Sequence, residues 1–550
     1  MDTTAIAAPP PLTEEQWHRL ALRGTEVDVE PGRVLVAAGD RWYPLLVVEG
    51  GAVEVVRPAN RWFPETVVES PRERGFVGEL GVLSGQRAFL TSRATGTGRV
   101  LRLDTDAVRR LLAEDDELGD LLLHALWRRR RSLTTGPAAL TLKIVGHEHS
   151  AAALALRTYA TRLDLVHTWV DADDAYCDAH GIVAAELPIV FVQGEPIPNA
   201  TPGDVAERLG LAYSEAEDVA VDLAVIGAGP GGLAAAIYGA SEGLRTVLID
   251  AVAPGGQAAS TSRIENYLGF PYGVSGGSLI DGAQLQALKF GVRIFAPCRA
   301  VALAEAGPDL VVSLADGAAV RTRSVVVATG AAYRRLPLDR WADFEGAGIY
   351  YAATALEGRQ VEGAPVVVVG GANSAGQAAL YLEGLSCRVH LVVRRGDLGA
   401  TMSSYLVERL LEHPGIEVHA ESEVRALHGD DGLAAVTLSS GREVACAGLF
   451  CFIGAEPATD WLTRPAKDAR GYLLTGNDVP LDEAAAMLAA IGRDPLPFET
   501  SIPGVFAAGD TRSGSMKRVA AAVGEGSSAV ASVHRALAWT PTPHADPVTA

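Results

Sequence analysis

Two glycine-rich turns hold the residues of this chain whose types and spacing could do chemistry. The first follows the apolar run VDLAVIG and reads Gly227-Ala228-Gly229-Pro230-Gly231-Gly232, after which LAAAIYGASEGL has a helical pattern. Gly227 permits a tight turn, Gly229 lets backbone approach a pyrophosphate, and Gly232 lets the helix pack on the strand. Pro230 stands at the helix start, and the helix N-terminus faces the phosphates. The next run, RTVLID, ends in Asp250, placed to accept hydrogen bonds from a ribose. The second turn follows APVVVVG and reads Gly370-Gly371-Ala372-Asn373-Ser374-Ala375, with a methyl group at Ala372 where a middle glycine is expected. Its partner run VHLVV ends in Arg394-Arg395 instead of an acid. Arginine there suits a 2′-phosphate, so NADPH is favoured over NADH. Two such turns, about 140 residues apart, imply two nucleotides facing each other. FAD with NADPH is the expected pair, because a flavin accepts the hydride.

The surrounding pattern supplies elements to position these turns. From Asp222 to about Trp539 strand and helix patterns alternate, which is doubly wound α/β grammar. Ahead of it lie two smaller segments. In the first, Val34–Val36, Leu45–Val48 and Val53–Val56 are split by Pro31-Gly32, Gly39-Asp40 and Gly50-Gly51, the spacing of a small antiparallel barrel or sandwich. One helical pattern then runs through DTDAVRRLLAEDDELGDLLLHALWRRRRSL, and its terminal Arg128–Arg131 complements the helix dipole. Thr134-Thr135-Gly136-Pro137 reads as a linker. The second segment runs strand, helix, strand, then ELPIVFV and a short helix.

Composition narrows the classes. The net charge of −20 argues against a nucleic-acid or anionic-membrane surface. No segment reads as a leader or a membrane span. The five cysteines (Cys177, Cys298, Cys387, Cys446, Cys451) are odd in number and lack CxxC spacing, which fits reduced thiols and a cytoplasmic protein. No metal site is expected: His147 and His149 alternate in a loop, but no third ligand is evident near them.

The segment from Asp222 to Trp539 resembles the low-molecular-weight thioredoxin reductases. Gly255-Gly256-Gln257 and Ile264-Glu265-Asn266-Tyr267 look like that family's flavin-side loops, and Val325–Gly330, with Thr329, looks like the strand closing its FAD domain. Gly509-Asp510 looks like the strand end against the ribityl and pyrophosphate. Arg518-Val519-Ala520 looks like the helix start at the flavin's N1/O2 edge. One departure stands out. Where the reductases carry CxxC, this chain reads Ala352-Ala353-Thr354-Ala355, and dithiol exchange needs a thiolate. The resemblance therefore implies fold and cofactors, and a homodimer, but not the disulfide reaction.

The first segment resembles a cyclic-nucleotide-binding domain. Glu79 would take the ribose 2′-OH and Arg87 the cyclic phosphate, although the interval between them is a residue or more shorter than usual; a working receptor and a contact module both remain open. The second segment resembles a thioredoxin- or glutaredoxin-type domain, with Pro188 at the cis-proline position and Gly146-His147-Glu148-His149-Ser150 where cysteines would stand. The expected organisation is a cyclic-nucleotide-binding-like domain at 1–133, a thioredoxin-like domain at 138–214, an FAD domain at 221–335 and 452–540, and an NADPH domain at 336–451. The expected activity is that of an FAD-dependent NADPH oxidoreductase. Its electrons would go to a ferredoxin-like protein, a quinone, a small organic substrate or oxygen. A non-enzymatic redox sensor and a flavin-dependent oxidase are the alternatives.

Overall fold

The computed structural model describes residues 12–539 apart from 52, 149, 215–220, 262 and 431, and only the backbone at 174, 355 and 356. His149 therefore lies outside the described residues. The N-terminal module is a roll of two four-stranded antiparallel sheets. One is ordered Thr25–Val29, Gly98–Leu103, Leu45–Glu49, Phe76–Val77; the other is ordered Val34–Val36, Thr91–Ala94, Val53–Arg57, Thr66–Glu69. Val47, Val48, Val100 and Leu101 fill the space between sheets and helices. The helical pattern that follows is two helices, Thr105–Glu114 and Asp116–Leu133. Asp115 separates them: its backbone is extended and its carboxylate accepts from Leu118 N at 3.1 Å, so a good N-cap competes successfully with helix continuation.

The second module is a four-stranded sheet ordered Thr168–Asp171, Leu142–Gly146, Ile189–Val192, Glu195–Ile197, with the first pair parallel. Helices Ala151–Arg162 and Pro202–Leu209 bury Leu156, Tyr159, Val205 and Leu209 against it. The Leu187–Pro188 bond is cis, as the resemblance implied.

The remaining chain makes two nucleotide-type halves. In one, parallel strands Arg293–Phe295, Thr246–Ile249, Val221–Ile226 and Ala319–Val327 lie in that order, extended by the antiparallel strands Asp309–Leu314 and Ala300–Ala306. Val505–Ala507 also joins Ala319–Val327 in parallel. In the other, five parallel strands are ordered Ile349–Tyr350, Gly448–Cys451, Pro365–Val369, Arg388–Val392, Ile416–His419. Parallel strands covered on both faces need continuous apolar runs, and VVVV at 366–369 is buried throughout. The halves are joined by a two-stranded connector in which Ala331–Tyr333 pairs with Ala455–Pro457.

Candidate flavin and nucleotide site

In the first glycine turn each glycine has a distinct steric reason. Gly227 has φ 103°, and a Cβ there would lie 2.3 Å from the Ala328 carbonyl oxygen. A Cβ on Gly232 would lie 1.7 Å from the Gly227 carbonyl oxygen, so helix Pro230–Ser241 can approach its strand only without a side chain. Gly229 is the opposite case: nothing lies within 4 Å of its Cβ position. The bare backbone there leaves room for a ligand's close approach. The helix that follows has no side-chain cap, which leaves its first N–H groups directed at that space.

The Gly256–Ser260 turn closes over this point, its Gly256 Cβ position 3.1 Å from Gly229 Cα. Gln257 reaches from it to the connector, Nε2 donating to Ala331 O at 2.7 Å. Asp250 takes three backbone N–H groups: Ala228 on Oδ2 at 2.8 Å, and Val252 and Ala253 on Oδ1 at 2.9 and 3.0 Å. Its four lone-pair positions leave one for a ribose hydroxyl. Thr329 Oγ1 donates to Ala458 O at 2.7 Å, tying the end of the closing strand to the connector's exit. Gly509 donates to Glu525 Oε2 at 2.8 Å, and burial raises the Asp510 carboxyl. Helix Val519–Ala538 starts at Arg518 without a side-chain cap, with Arg518 and Ala520 exposed. Asn266 is exposed on its loop. Bare glycine, uncapped helix starts and half-buried acids suit an FAD pyrophosphate and ribose, so these residues fit the group.

The second turn repeats the design. Gly370 has φ 146°, and a Cβ there would meet Phe452 O at 2.5 Å. Ala372, at φ −105°, is in extended backbone that any residue adopts, and it is exposed. Helix Asn373–Glu383 has no side-chain cap. The Asn373 side chain instead accepts from Ser403 N at 2.8 Å. Ser374 is exposed and Ala375 buried, while Arg394 and Arg395 are both exposed beyond their strand. That is the arrangement a 2′-phosphorylated nucleotide requires.

Between the two turns lies the tract where a dithiol would stand. Tyr351, next to Ala352, stacks on Tyr333 of the connector, with ring centroids 5.1 Å apart and planes 4° apart. Its hydroxyl donates to Glu345 at 2.7 Å and accepts from Trp341 Nε1 at 2.9 Å. Thr354 donates to Glu357 Oε2 from both its backbone N–H and its hydroxyl. Burial pushes Tyr333 up to about 12. Glu357 and Asp510 push the same way, and Arg162 opposes them.

Arg162 is the residue that sequence reasoning missed. It ends helix Ala151–Arg162 of the second module, and its Nη2 donates to Ser260 Oγ at 3.2 Å, on the turn that covers Gly229. Gln284 Nε2 fixes its backbone by donating to Arg162 O at 3.1 Å. At the other end of the same helix, Ala151 packs against Gly346, 3.3 Å from that residue's Cβ position, and Leu154 packs into the core of the NADPH half. No local motif signals this, because only the packing of modules brings the helix there.

The sequence-predicted pair in the first module does not converge. The Glu79 carboxylate is buried and accepts from Tyr43 OH at 2.5 Å, Gly81 N at 2.9 Å and Arg130 Nε at 2.5 Å. These three donors all come from the chain itself. Arg87 points outward, donating from Nη1 to Gly39 O at 3.1 Å and packing its stem on Gly210 of the second module. The physical reason is the path of the chain between Glu79 and Arg87. Helix Gly81–Ser84 and the left-handed Gly85, at φ 77°, lie between the two residues, and Ala88 and Phe89 line the inside. The cavity within the roll is about 40 Å³. The run Arg128–Arg131 likewise does more than complement a dipole: Arg130 Nη1 donates to Asp164 O at 3.0 Å, and Arg131 meets Asp281 of the FAD half at 3.0 Å.

Comparison with known proteins accords with this geometry. Residues 221–526 match the model of the pyridine nucleotide-disulphide oxidoreductase family. The chain belongs to that family. Residues 26–115 match the cyclic nucleotide-binding domain model. The thioredoxin reductase of Treponema pallidum (strain Nichols) is 32% identical over 327 residues, 58% of this chain and 97% of that protein. The 34.2 kDa protein in the rubredoxin operon of Clostridium pasteurianum is 30% identical over 318 residues, 56% and 95% of the two chains. The crystal structure of Lactococcus lactis thioredoxin reductase has a TM-score of 0.49 at 26% identity, covering 58% of this chain and 99% of that one. Thioredoxin reductases use FAD and NADPH, and the chain is a fused, thioredoxin reductase-like member with an N-terminal cyclic-nucleotide-binding fold. No helix among the described residues is long and apolar enough to cross a membrane.

Proposed function

We propose that this chain is an FAD-dependent NADPH oxidoreductase that delivers electrons to an acceptor other than a protein disulfide. When bound, the cofactors supply hydride transfer from nicotinamide to flavin. The chain's part is to hold the flavin nucleotide at Gly229, Asp250 and Asp510, and the pyridine nucleotide at Ser374, Arg394 and Arg395. The observation that carries the reading is the state of the thiols. Alanine stands at 352 and 355, and all five cysteines are buried. Burial pushes Cys298, Cys446 and Cys451 each up to about 12 and raises Cys387 as well, so these thiols are protonated at neutral pH and poor nucleophiles.

Candidate acceptors are a ferredoxin-like protein, a quinone, a small organic substrate and oxygen, and a homodimer is the expected assembly. The test is NADPH consumption with oxidised thioredoxin, compared with a panel of those acceptors. Turnover with at least one acceptor, and none above background with thioredoxin, is expected. Thioredoxin turnover above about one per second that disappears when all five cysteines are replaced by serine would overturn the reading.

A further inference from the structure

The register of the NADPH half brings three metal-ligand side chains together, away from both glycine turns. Strand Arg388–Val392 pairs with the edge strand Ile416–His419, setting His390 opposite Glu417 and Val392 opposite His419. His390 Nδ1 lies 3.1 Å from His419 Nε2. Glu417 places Oε2 3.3 Å from His390 Nδ1 and Oε1 3.7 Å from His419 Nε2. One ligand atom from each residue can be chosen so that all three lie within 4.8 Å of one another.

These separations have a physical reading. An ion bound to nitrogen and oxygen at about 2.0–2.2 Å in a tetrahedral shell holds neighbouring ligand atoms roughly 3.3–3.5 Å apart. The His390–His419 and His390–Glu417 distances fall near that value, and Glu417 meets His419 through its other oxygen at 3.7 Å. Hydrogen bonds among the two imidazoles and the carboxylate satisfy these contacts, and a single cation taking one ligand atom from each residue satisfies them as well. The burial fits as well: the His390 and His419 side chains are 8% and 11% exposed, whereas Glu417 is 45% exposed and opens the cluster to solvent. Arg442 steadies the carboxylate from outside, its Nη1 donating to Oε1 at 2.6 Å and its Nη2 to Oε2 at 3.3 Å. A carboxylate has about four acceptor positions, so Arg442 leaves two for the histidine side.

We propose that His390, Glu417 and His419 bind one divalent transition-metal ion of the Zn²⁺ class, with a fourth position open to water. Two imidazoles and a carboxylate are the donor set such ions take. The ion clips the edge strand to its neighbour, which is a structural role in the half that carries Arg394 and Arg395.

The test uses the full-length flavoprotein, stripped with chelator, incubated with micromolar ZnCl₂ and passed through gel filtration before metal analysis. One ion per chain is expected to remain, with a rise in melting temperature. Glu417→Gln, a change at the solvent-facing ligand that keeps the fold, should weaken retention at least tenfold and abolish the rise. His419→Gln should abolish both. Co²⁺ added to the stripped protein should give absorption bands of a tetrahedral site in wild type and not in these variants. Absence of stoichiometric zinc, or equal retention by wild type and both variants, would overturn the site and leave a hydrogen-bonded histidine pair. Flavin content is expected to be unchanged in Glu417→Gln, which separates failure of this site from failure of the FAD reading.

Discussion

The roll of the first module and the glycine turn of the FAD half both carry ligand-binding motifs, and they treat their polar groups in opposite ways. At Glu79 the carboxylate is satisfied from within by Tyr43, Gly81 and Arg130. At Gly229 the helix start is left without a side-chain cap, and no described protein atom lies within 4 Å of the glycine's Cβ position. An Ncap side chain is worth about 0.5–2 kcal/mol, so leaving three helix starts uncapped, at Pro230, Asn373 and Val519, makes sense where a ligand supplies the missing acceptors. A motif binds where its partners are withheld, and it becomes architecture where the chain fills them itself.

The comparison breaks most visibly at Gly229. Gly229→Val should purify colourless, with FAD affinity down at least a hundredfold, because a branched side chain would occupy the pyrophosphate space. A variant that retained full flavin absorbance would show that the space has another purpose. Arg130→Met should next destabilise the first module by about 3–5 kcal/mol, since it leaves a buried carboxylate without its cation. Chemical denaturation measures this. The double change Glu79→Leu with Arg130→Met should recover most of the loss.

A smaller effect is expected at the second turn. Replacing Arg394 and Arg395 with alanine should cost NADPH binding about 1–3 kcal/mol and leave NADH nearly unchanged. Equal losses for both nucleotides would remove the 2′-phosphate assignment. Arg162→Gln should weaken flavin retention by about 0.5–1.5 kcal/mol, through the Ser260 contact, with Arg157→Gln on the same helix as control. The smallest expected effect is none at all: cyclic AMP and cyclic GMP should give no heat in calorimetry at micromolar concentration. Binding that Arg87→Ala abolishes would reverse the contrast between the two modules.

What was legible in the sequence was whatever depends on neighbours along the chain. The α/β class, the glycine turns with Asp250 and the Arg394-Arg395 pair all sit within single strand–turn–helix units. The roll was legible from its turn residues. That Glu79 and Arg87 do not converge was not legible, because a motif match counts residues, whereas the direction of each side chain depends on the path of the chain. The break at Asp115 was hidden by an apolar pattern that continues across it. Arg162 lies about 100 residues from Ser260, and His390 lies 29 residues from His419, so only module packing and strand register bring them together.

Helix Ala151–Arg162 touches a different nucleotide half with each end, and twelve residues give it a length of about 18 Å. It acts as a strut across the connector. Turning one half against the other would shear Ala151 off Gly346 or Arg162 off Ser260, so the two halves share one stiffness for as long as the strut is seated. A module with no cysteine in its active-site loop therefore keeps a mechanical job: it limits how far the two nucleotide halves can swing.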